Sequence, residues 1–235
     1  MSLRKYFLKN KFSYRIYLYY NLYIRHKCFI KKTQYSQWGE DLLINEYFKD
    51  KKNGAYLDVG CFHPVMYSNT YLLHKKGWHG INIDINETSV DLFNILRPND
   101  FNFCTTIDYS KKDFKVYYDH PFSPVNTLDE SYYNEFKSKF FKNVAFKTIK
   151  SQSFDEILKK TKIKDIDFLN IDVEGMDLRI LKQLVPNKIK PDLISIETHN
   201  VDGSKSTNCD KINELLIDCN FQIYKRIGPS TLFNS

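Results

Sequence analysis

The 235-residue sequence lacks several patterns that define common protein classes. Its five cysteines are scattered and include no C-x-x-C pair, which argues against a zinc ribbon and against a disulfide framework. The first residues do not show the charged, apolar and small-residue regions of a secretory signal peptide. We therefore expect a cytoplasmic protein with reduced thiols.

Acidic residues are absent from residues 1–32, which contain nine Lys or Arg and nine aromatic residues. The segment carries a charge of +9, whereas the rest of the chain, with 26 basic and 28 acidic residues, carries −2. Its longest uncharged run, Ile16 to Ile24, is too short to span a bilayer. We predict that residues 1–34 form a basic helical tail. The tail packs on its own domain or on a neighbouring subunit, or residues 1–32 contact an anionic membrane at its inner face; we favour these partners over nucleic acid.

Beyond residue 34 the chain alternates strand and helix patterns. This alternation predicts an α/β fold for residues 35–235, with a Rossmann-like, doubly wound and mostly parallel sheet. The predicted strands are 56–59, 81–85, 101–107, 114–118, 144–149, 165–171, 193–197 and 221–226. The predicted helices begin at residues 36, 70, 86, 153, 175 and 209, and Ser153 with Glu156 forms a capping-box pattern.

The regular alternation is interrupted between residues 111 and 150. Residues 120–143 contain two prolines and many aromatic or polar residues between two predicted strands. We predict that residues 111–150 are an insertion that lies over the active face.

Acidic residues lie at or near the carboxyl ends of five of the predicted strands. In an open parallel sheet, ligands bind beyond the carboxyl ends of the strands, near the switch in strand order. A helix cap or a turn would explain a single acid at such a position, but five together indicate a binding crevice. The five acids are Asp58, Asp84, Asp108, Asp172 and Glu197.

The loop after the first strand contains one glycine, Gly60, followed by bulky residues. A dinucleotide site requires G-x-G-x-x-G, so that the backbone can approach the pyrophosphate. The loop is therefore better suited to a ligand without phosphates, such as S-adenosylmethionine. The ribose of that ligand can bind Asp84, its cationic groups favour a carboxylate-rich site, and its carboxylate requires neutral donors such as Ser68 or Asn69.

Five separated motifs carry a resemblance to a known family. They are Ser36-Gln37-Trp38-Gly39-Glu40-Asp41, Asp58-Val59-Gly60, Ser68-Asn69-Thr70, Gly77-Trp78-His79-Gly80 with Ile83-Asp84, and Ile171-Asp172-Val173-Glu174-Gly175. In this order they resemble the FkbM family of S-adenosylmethionine-dependent methyltransferases, over roughly residues 35–226. The resemblance implies a class I methyltransferase type of sheet and S-adenosylmethionine as the methyl donor.

The resemblance also implies roles for individual residues. Asp58 and Gly60 shape the donor loop, Asp84 holds the ribose, and Asp108 lies near the adenine. Gln37 and Asn69 close over the methionine end, with Ser68 beside them. For Gln37, the start of a helix is an equally simple explanation.

Methyl transfer to oxygen requires a group that removes the proton of the acceptor hydroxyl. Asp172, Glu174 and His199 are the candidates, because their segments follow neighbouring strands. The same three residues suit a divalent metal ion, although helix capping by Glu174 explains one carboxylate without a metal, which we favour. His63 is a further candidate base, but a role in fixing its turn is the better explanation.

The acceptor is less evident from the sequence. The resemblance implies O-methylation of a surface glycan or a related natural product, and the aromatic insertion suits stacking against a sugar. A non-catalytic scaffold that binds an adenosine ligand, and a nucleotide-sugar or NAD enzyme on a similar sheet, are the alternatives. An oligomer is compatible with either.

Overall fold

The structure is a computed structural model that describes residues 10–118, 123, 126–140, 145–161, 163–185 and 188–235. The helices are α1 (Lys11–Tyr19) with a π-helix directly after it (Tyr20–Arg25), α2 (Glu40–Tyr47), α3 (Tyr71–Lys75), α4 (Glu87–Leu96), α5 (Glu130–Phe140), α6 (Phe154–Lys160), α7 (Asp177–Leu184) and α8 (Cys209–Asp218). The strands are β1 (Ala55–Val59), β2 (His79–Asp84), β3 (Phe101–Cys104), β4 (Asp113–Tyr118), β5 (Ala145–Lys150), β6 (Phe168–Ile171), β7 (Leu193–Glu197), β8 (Gln222–Ile227) and β9 (Ser230–Asn234).

A seven-stranded sheet forms the centre of the structure, in the order β3-β2-β1-β6-β7-β9-β8. The neighbouring strands β3, β2, β1, β6 and β7 are parallel, and β9 runs antiparallel to both of its neighbours, β7 and β8. The prediction of a mostly parallel sheet is confirmed. Successive strands extend from β1 in one direction and from β6 in the other, so the switch in strand order lies between β1 and β6.

The two faces of the sheet are covered by different helices. Because side chains alternate along a strand, the aligned residues Leu57, Leu169 and Ile194 lie on one face and contribute to the larger core with α6, α7 and α8. Tyr56 and Phe168 lie on the other face, in the smaller core with residues of α2 and α3. Burial on both faces explains why most residues of the central strands are apolar.

The prediction omitted β9, which pairs with β7 from Leu193↔Asn234 to Glu197↔Ser230. Gly228, with φ +53°, lies in the turn between β8 and β9 and packs against the Trp38 ring. The last strand of the chain is therefore placed between two earlier strands.

The predicted helix start at Ser36 is wrong, because α2 begins at Glu40. Gly39 has φ +98°, a left-handed conformation that a helix beginning at residue 36 does not allow. The Ser36 hydroxyl instead accepts hydrogen bonds from the backbone N–H of Gly39 and Asp41, at 3.0 and 3.3 Å. The motif around Gln37 is thus a hydrogen-bonded turn before the helix.

The described part of the insertion contains a two-stranded antiparallel sheet of β4 and β5, with α5 between them in the chain. The two strands were predicted to within one residue at each end, but α5 was not predicted. Thr127 extends the pairing, since its N–H and carbonyl both bond to the backbone of Tyr117. Residues 119–122, 124, 125 and 141–144 of the predicted insertion lie outside the described residues.

The helical segment of residues 11–25 packs against α4. Leu18 and Leu22 are buried in a small cluster with Leu92 of α4, and the Tyr14 hydroxyl donates to Asp91 at 2.7 Å. No helix within the described ranges is long and apolar enough to cross a membrane. Residues 1–9 of the predicted tail lie outside those ranges.

A buried arginine, Arg97, holds the loop between β1 and α3. Its guanidinium donates to the Pro64 carbonyl at 3.1 Å, to the Ser68 hydroxyl at 2.9 Å and to the Thr70 hydroxyl at 2.9 Å. Arg97 has no exposed surface. The Thr70 hydroxyl in turn donates to Asp58 at 2.8 Å, so the network extends to the end of β1.

We expect Arg97→Met to lower the free energy of unfolding by about 3–5 kcal/mol, because it leaves buried carbonyl and hydroxyl groups without their donor. Urea denaturation measures the change. The control is Arg226→Met: Arg226 is exposed and bonds one carbonyl, so we expect a change of at most about 0.5 kcal/mol. Equal effects of the two substitutions would contradict the role assigned to Arg97.

Candidate functional site

A cleft lies at the carboxyl ends of β1, β2 and β6, beside the switch in strand order. It is lined on one side by residues that follow β1 and β2 and on the other by residues that follow β6. Among the lining residues are Gly60, Asp84, Thr106, Asn126, Asp172 and Glu174. This is the position at which open parallel sheets bind ligands.

Gly60 brings the two sides of the cleft into contact. Its N–H donates to the Ile83 carbonyl at 2.8 Å, and its φ is +85°. A Cβ atom at this position would lie 1.7 Å from the carbonyl oxygen of Asp172. The close approach of the β1 and β6 loops therefore requires glycine.

Asp58 forms buried hydrogen bonds that hold the end of β1 in place. Its carboxylate is buried and accepts from the Thr70 hydroxyl at 2.8 Å and from the Asn170 amide at 2.9 Å. Burial raises the pKa of Asp58, while the two hydrogen bonds oppose the shift. Asp58 thus supports the loop, and the described lining of the cleft does not include it.

Asp84, at the end of β2, lines the cleft and organises the loop beside it. Its two carboxylate oxygens accept from the N–H groups of Phe62, at 2.8 Å, and Asn86, at 2.7 Å. Burial raises the pKa of Asp84 to about 6. Each oxygen retains a further lone pair for a ligand donor. Phe62 has φ +47°, a strained conformation that Asp84 helps to hold.

Three residues predicted to bind the donor have other surroundings. Ser68 is buried and accepts from Arg97, and the Asn69 amide donates to the Asn170 side chain at 2.9 Å. Gln37 is exposed in the turn before α2. None of the three is among the described residues that line the cleft. Ser68 and Asn69 therefore belong to a hydrogen-bond network within the protein, whereas the sequence analysis predicted that they contact the ligand.

Asp108 was predicted to lie near the adenine, but the structure pairs it with Arg179 of α7. Arg179 Nε donates to its carboxylate at 3.0 Å, and the Ser110 N–H does so at 2.8 Å. Although burial acts in the opposite direction, the bonds from Ser110 and Arg179 leave the pKa of Asp108 below its usual value. The described cleft residues nearest in the chain are Thr105 and Thr106.

Acidic side chains concentrate at the β6 and β7 end of the cleft. Burial, followed by repulsion from Glu197 and Glu174, raises the pKa of Asp172 well above its usual value. Burial and nearby carboxylates raise the pKa of Glu174 to about 7 and that of Glu197 to about 8. Asp177, which caps the turn through the N–H groups of Val173 and Gly175, has a pKa raised by burial to about 6. An adjacent cation would relieve this repulsion.

Glu174 lies in a strained turn and contacts the insertion. Its φ is +49°, in the left-handed region that a residue with a side chain rarely adopts. The Tyr132 hydroxyl of α5 donates to its carboxylate, and the Thr127 hydroxyl donates to its carbonyl at 2.7 Å. These bonds from the insertion fix the carboxylate at the cleft.

The third candidate base, His199, follows β7 and bonds to its neighbour Thr198. Its Nδ1 contacts the Thr198 hydroxyl at 2.8 Å, and partial burial with the charges of Arg226 and Lys205 lowers its pKa. The described cleft lining includes the two acids but not His199. Within the part of the chain that the structure describes, no group of three His, Cys, Asp or Glu side chains is arranged to hold a metal ion.

His63 was predicted to fix its turn, and this is confirmed. Its Nδ1 accepts from the N–H groups of Val65 and Met66, at 3.1 and 2.9 Å. The ring is completely buried, and burial lowers its pKa well below the usual value. It therefore remains neutral as an acceptor for the turn.

Asn126 of the insertion is a cleft residue that the sequence did not reveal. Its side chain is 9% exposed, and neither its amide nitrogen nor its oxygen has a hydrogen-bond partner in the described structure. A buried amide without partners costs free energy unless a ligand supplies them. Tyr132 was also not predicted as a site residue, and Glu197 was predicted only as one of the five acids at the crevice, without a role of its own. For Glu197 the strand-end position was a usable signal, whereas no pattern around Tyr132 or Asn126 distinguishes them.

A family model described as "Methyltransferase FkbM domain" matches residues 54–223 of the chain. The matched region contains the described residues that line the cleft and leaves out α1, the π-helix, α2 and β9. Comparison with the curated proteins and with the solved structures gave no match.

We expect Gly60→Ala to destabilise the protein far more than Gly77→Ala does. Both glycines are left-handed, with φ +85° and +96°, so each substitution carries a similar backbone cost of about 1–2 kcal/mol. A Cβ at Gly77 meets nothing within 4 Å, whereas one at Gly60 overlaps the Asp172 carbonyl. The clash adds about 3 kcal/mol, which urea denaturation measures. Similar losses for the two variants would show that the β1 and β6 loops are not in contact.

Proposed function

Because the chain belongs to the FkbM methyltransferase family, we propose that it is an S-adenosylmethionine-dependent O-methyltransferase that methylates a sugar hydroxyl of a surface glycan or a related natural product. The seven-stranded sheet has six strands that run in one direction and one, β9, that runs antiparallel between β7 and β8, and this order supports a Rossmann-like sheet of the class I methyltransferase type. The observation that carries the proposal is the acid-rich cleft, whose raised carboxyl pKa values call for a cationic ligand. We place the activity in the cytoplasm, in keeping with five free thiols.

The nucleoside part of the donor fits the β2 side of the cleft. Asp84 retains lone pairs that suit the two hydroxyls of a ribose, after accepting the Phe62 and Asn86 N–H groups. The unpartnered amide of Asn126 offers one donor and one acceptor, which match the edge of an adenine base. Thr105 and Thr106 complete this side of the cleft.

The cationic part of the donor fits the β6 and β7 side. Asp172 lies in the cleft directly against the Gly60 loop, and burial, followed by repulsion from Glu197 and Glu174, raises its pKa. A positive charge beside these three carboxylates favours their ionised forms and so gains binding energy from the repulsion it removes.

S-adenosylmethionine supplies, when bound, an electrophilic methyl group on a sulfonium. The protein must remove the proton of the acceptor hydroxyl, and we assign this step to Glu174. Its pKa of about 7 is close to the pH at which a general base is most effective, and Tyr132 and Thr127 hold it at the cleft. Asp172 then serves the cationic ligand, and His199, which is not among the described lining residues, has no assigned step.

The insertion supplies the acceptor side of the cleft. Tyr132 reaches Glu174 from α5, and the neighbouring Tyr133 stacks on Tyr117 with ring centroids 4.4 Å apart. Aromatic side chains of this kind pack against the apolar faces of pyranose rings. The insertion therefore supports a sugar as the acceptor.

We expect the affinity for S-adenosylmethionine to rise about tenfold or more between pH 6 and pH 8.5. Glu174 and Glu197, with pKa values of about 7 and about 8, are protonated at the lower pH and ionised at the higher pH, so they attract a cation only at the higher pH. S-adenosylhomocysteine lacks the sulfonium charge, so its affinity should change less. Titration calorimetry of both ligands measures the difference.

NAD is the matched control ligand in the same titration, because it also presents an adenosine. Binding of NAD in place of the two sulfur-containing ligands would indicate a dehydrogenase and contradict the proposal. Equal pH dependence for the two sulfur-containing ligands would contradict the role of the acids. Binding without methylation of any acceptor in a mass-spectrometric screen would indicate a scaffold.

We expect Glu174→Gln to lower turnover by about 10²- to 10⁴-fold while S-adenosylhomocysteine affinity changes little, because the amide cannot accept the acceptor proton. The assay follows methyl gain on an acceptor identified by the screen. Glu46→Gln, at an exposed glutamate of α2, is the control and should leave turnover unchanged.

Tyr132→Phe gives a second readout of the same assignment. The hydrogen bond from Tyr132 lowers the pKa of Glu174, so its loss should move the acidic limb of the rate profile to higher pH. Undiminished turnover in Glu174→Gln, or an unmoved limb in Tyr132→Phe, would reject Glu174 as the base.

A further inference from the structure

The outer face of residues 11–25 is an exposed surface of aromatic and aliphatic side chains. Tyr19 and Tyr23 stack on it, with ring centroids 6.0 Å apart. Phe12 is 74% exposed and Ile24 is 64% exposed, far more than is usual for such residues. The outer face consists of Phe12, Arg15, Ile16, Tyr19, Tyr20, Tyr23 and Ile24, which together line one shallow groove.

The opposite face of the same helical segment is firmly attached to the domain. Leu18 and Leu22 are buried against Leu92 of α4, and the Tyr14 hydroxyl bonds Asp91 at 2.7 Å. The outer face is therefore presented by a helix that is already packed. Its apolar side chains are not needed for that packing, since they point away from α4.

Positive charge surrounds the outer face. Residues 1–32 contain nine Lys or Arg and no acid. Within the described part of this segment, the basic side chains are all exposed: Lys11, Arg15, Arg25, Lys27, Lys31 and Lys32. The surface thus combines apolar side chains with cations, and it lies outside the matched family domain.

We propose that the outer face binds the surface of an anionic phospholipid bilayer, with the helical segment lying parallel to the membrane plane. Phe and Ile side chains enter the boundary between head groups and acyl chains, and Tyr rings remain at head-group level. Lys and Arg around them attract the anionic head groups. This binding is independent of the methyl-transfer chemistry.

The charge and the composition of the outer face favour a bilayer over two other partners. A second copy of the chain in a two-fold dimer would place one strongly cationic segment against another. A nucleic acid strand stacks on aromatic rings, but Ile16 and Ile24 offer it neither a ring nor a charge. A bilayer accepts all three kinds of side chain.

The segment also contacts the donor loop. The His26 ring, just after the π-helix, lies edge-on to the His63 ring with centroids 5.1 Å apart. His63 fixes the turn after Gly60 through the N–H groups of Val65 and Met66. The helical segment is therefore connected to the turn of the donor loop through His26.

Co-sedimentation of the full chain with vesicles tests the proposal. We expect binding to vesicles of phosphatidylcholine mixed with phosphatidylglycerol, and much weaker binding to phosphatidylcholine alone. Phe12→Ser/Ile16→Ser/Ile24→Ser should lower the partition coefficient at least about tenfold, because it removes the apolar contribution. Val201→Ser/Ile217→Ser/Ile223→Ser, at equally exposed positions elsewhere, is the control and should bind as the wild type does.

A charge variant separates the electrostatic contribution. Lys11→Gln/Arg15→Gln/Lys27→Gln should weaken binding to anionic vesicles by about fivefold for each cation removed, and should leave the circular dichroism spectrum unchanged. Added salt should have the same direction of effect as the substitutions.

Four outcomes would overturn the proposal. One is that the folded wild type does not bind anionic vesicles. The second is that the serine variant binds them as tightly as the wild type. The third is a concentration-dependent dimer that the serine variant abolishes, without vesicle binding. The fourth is tight binding to single-stranded RNA with no binding to vesicles, which would identify a nucleic acid as the partner.

Discussion

The buried guanidinium of Arg97 is the constraint on which the cleft depends. A charge inside a protein is tolerated only when its donors are satisfied, and here the partners are the Pro64 carbonyl and the hydroxyls of Ser68 and Thr70. All three belong to the loop after β1. These bonds hold the loop in the conformation that brings its acceptors to the arginine. The Thr70 hydroxyl also donates to Asp58, which connects the loop to the end of β1.

The bonds of Arg97 stabilise the fold, whereas the cluster of acids at the cleft destabilises it. At the β6 and β7 end, carboxyl groups lie close together with little solvent, and burial raises their pKa values. A carboxyl whose pKa is raised in the folded state stabilises the fold while protonated, and this contribution is lost as the pH rises through the folded value. The ionised acids of the cleft therefore lower the free energy of unfolding near neutral pH. Perturbed carboxyl pKa values of this kind are typical of functional sites.

The central strands and their parallel arrangement could be predicted from the sequence. The apolar stretches before Asp58, Asp84 and Asp172 fix which strands are central, and the parallel sheet follows from their alternation with helices. The sequence pattern did not indicate β9. This strand follows β8 after a tight turn at Gly228, and its other partner, β7, lies far away in the sequence. The position of Glu197 at the end of β7 indicated a place near the cleft, but no local pattern specified the direction of the His199 side chain, which depends on how the chain leaves the sheet.

Other misses have a different physical cause. Arg97 directly precedes Pro98, a context typical of an exposed cation at a helix end, yet its side chain turns inward. Ser68 and Asn69 are polar residues in a loop beside the cleft, and only the position of Arg97 and Asn170 shows that they face inward. Asn126 lies in a region without periodicity, where no pattern specifies burial.

The contact between Tyr132 and Glu174 has a consequence for selectivity. The carboxylate that lines the cleft already holds a phenol hydroxyl as its partner. Under the proposed function, an acceptor alcohol must compete with that phenol for the same oxygen lone pairs of Glu174. The affinity of the site for an acceptor would then depend on how well the acceptor hydroxyl replaces the Tyr132 hydroxyl at the carboxylate.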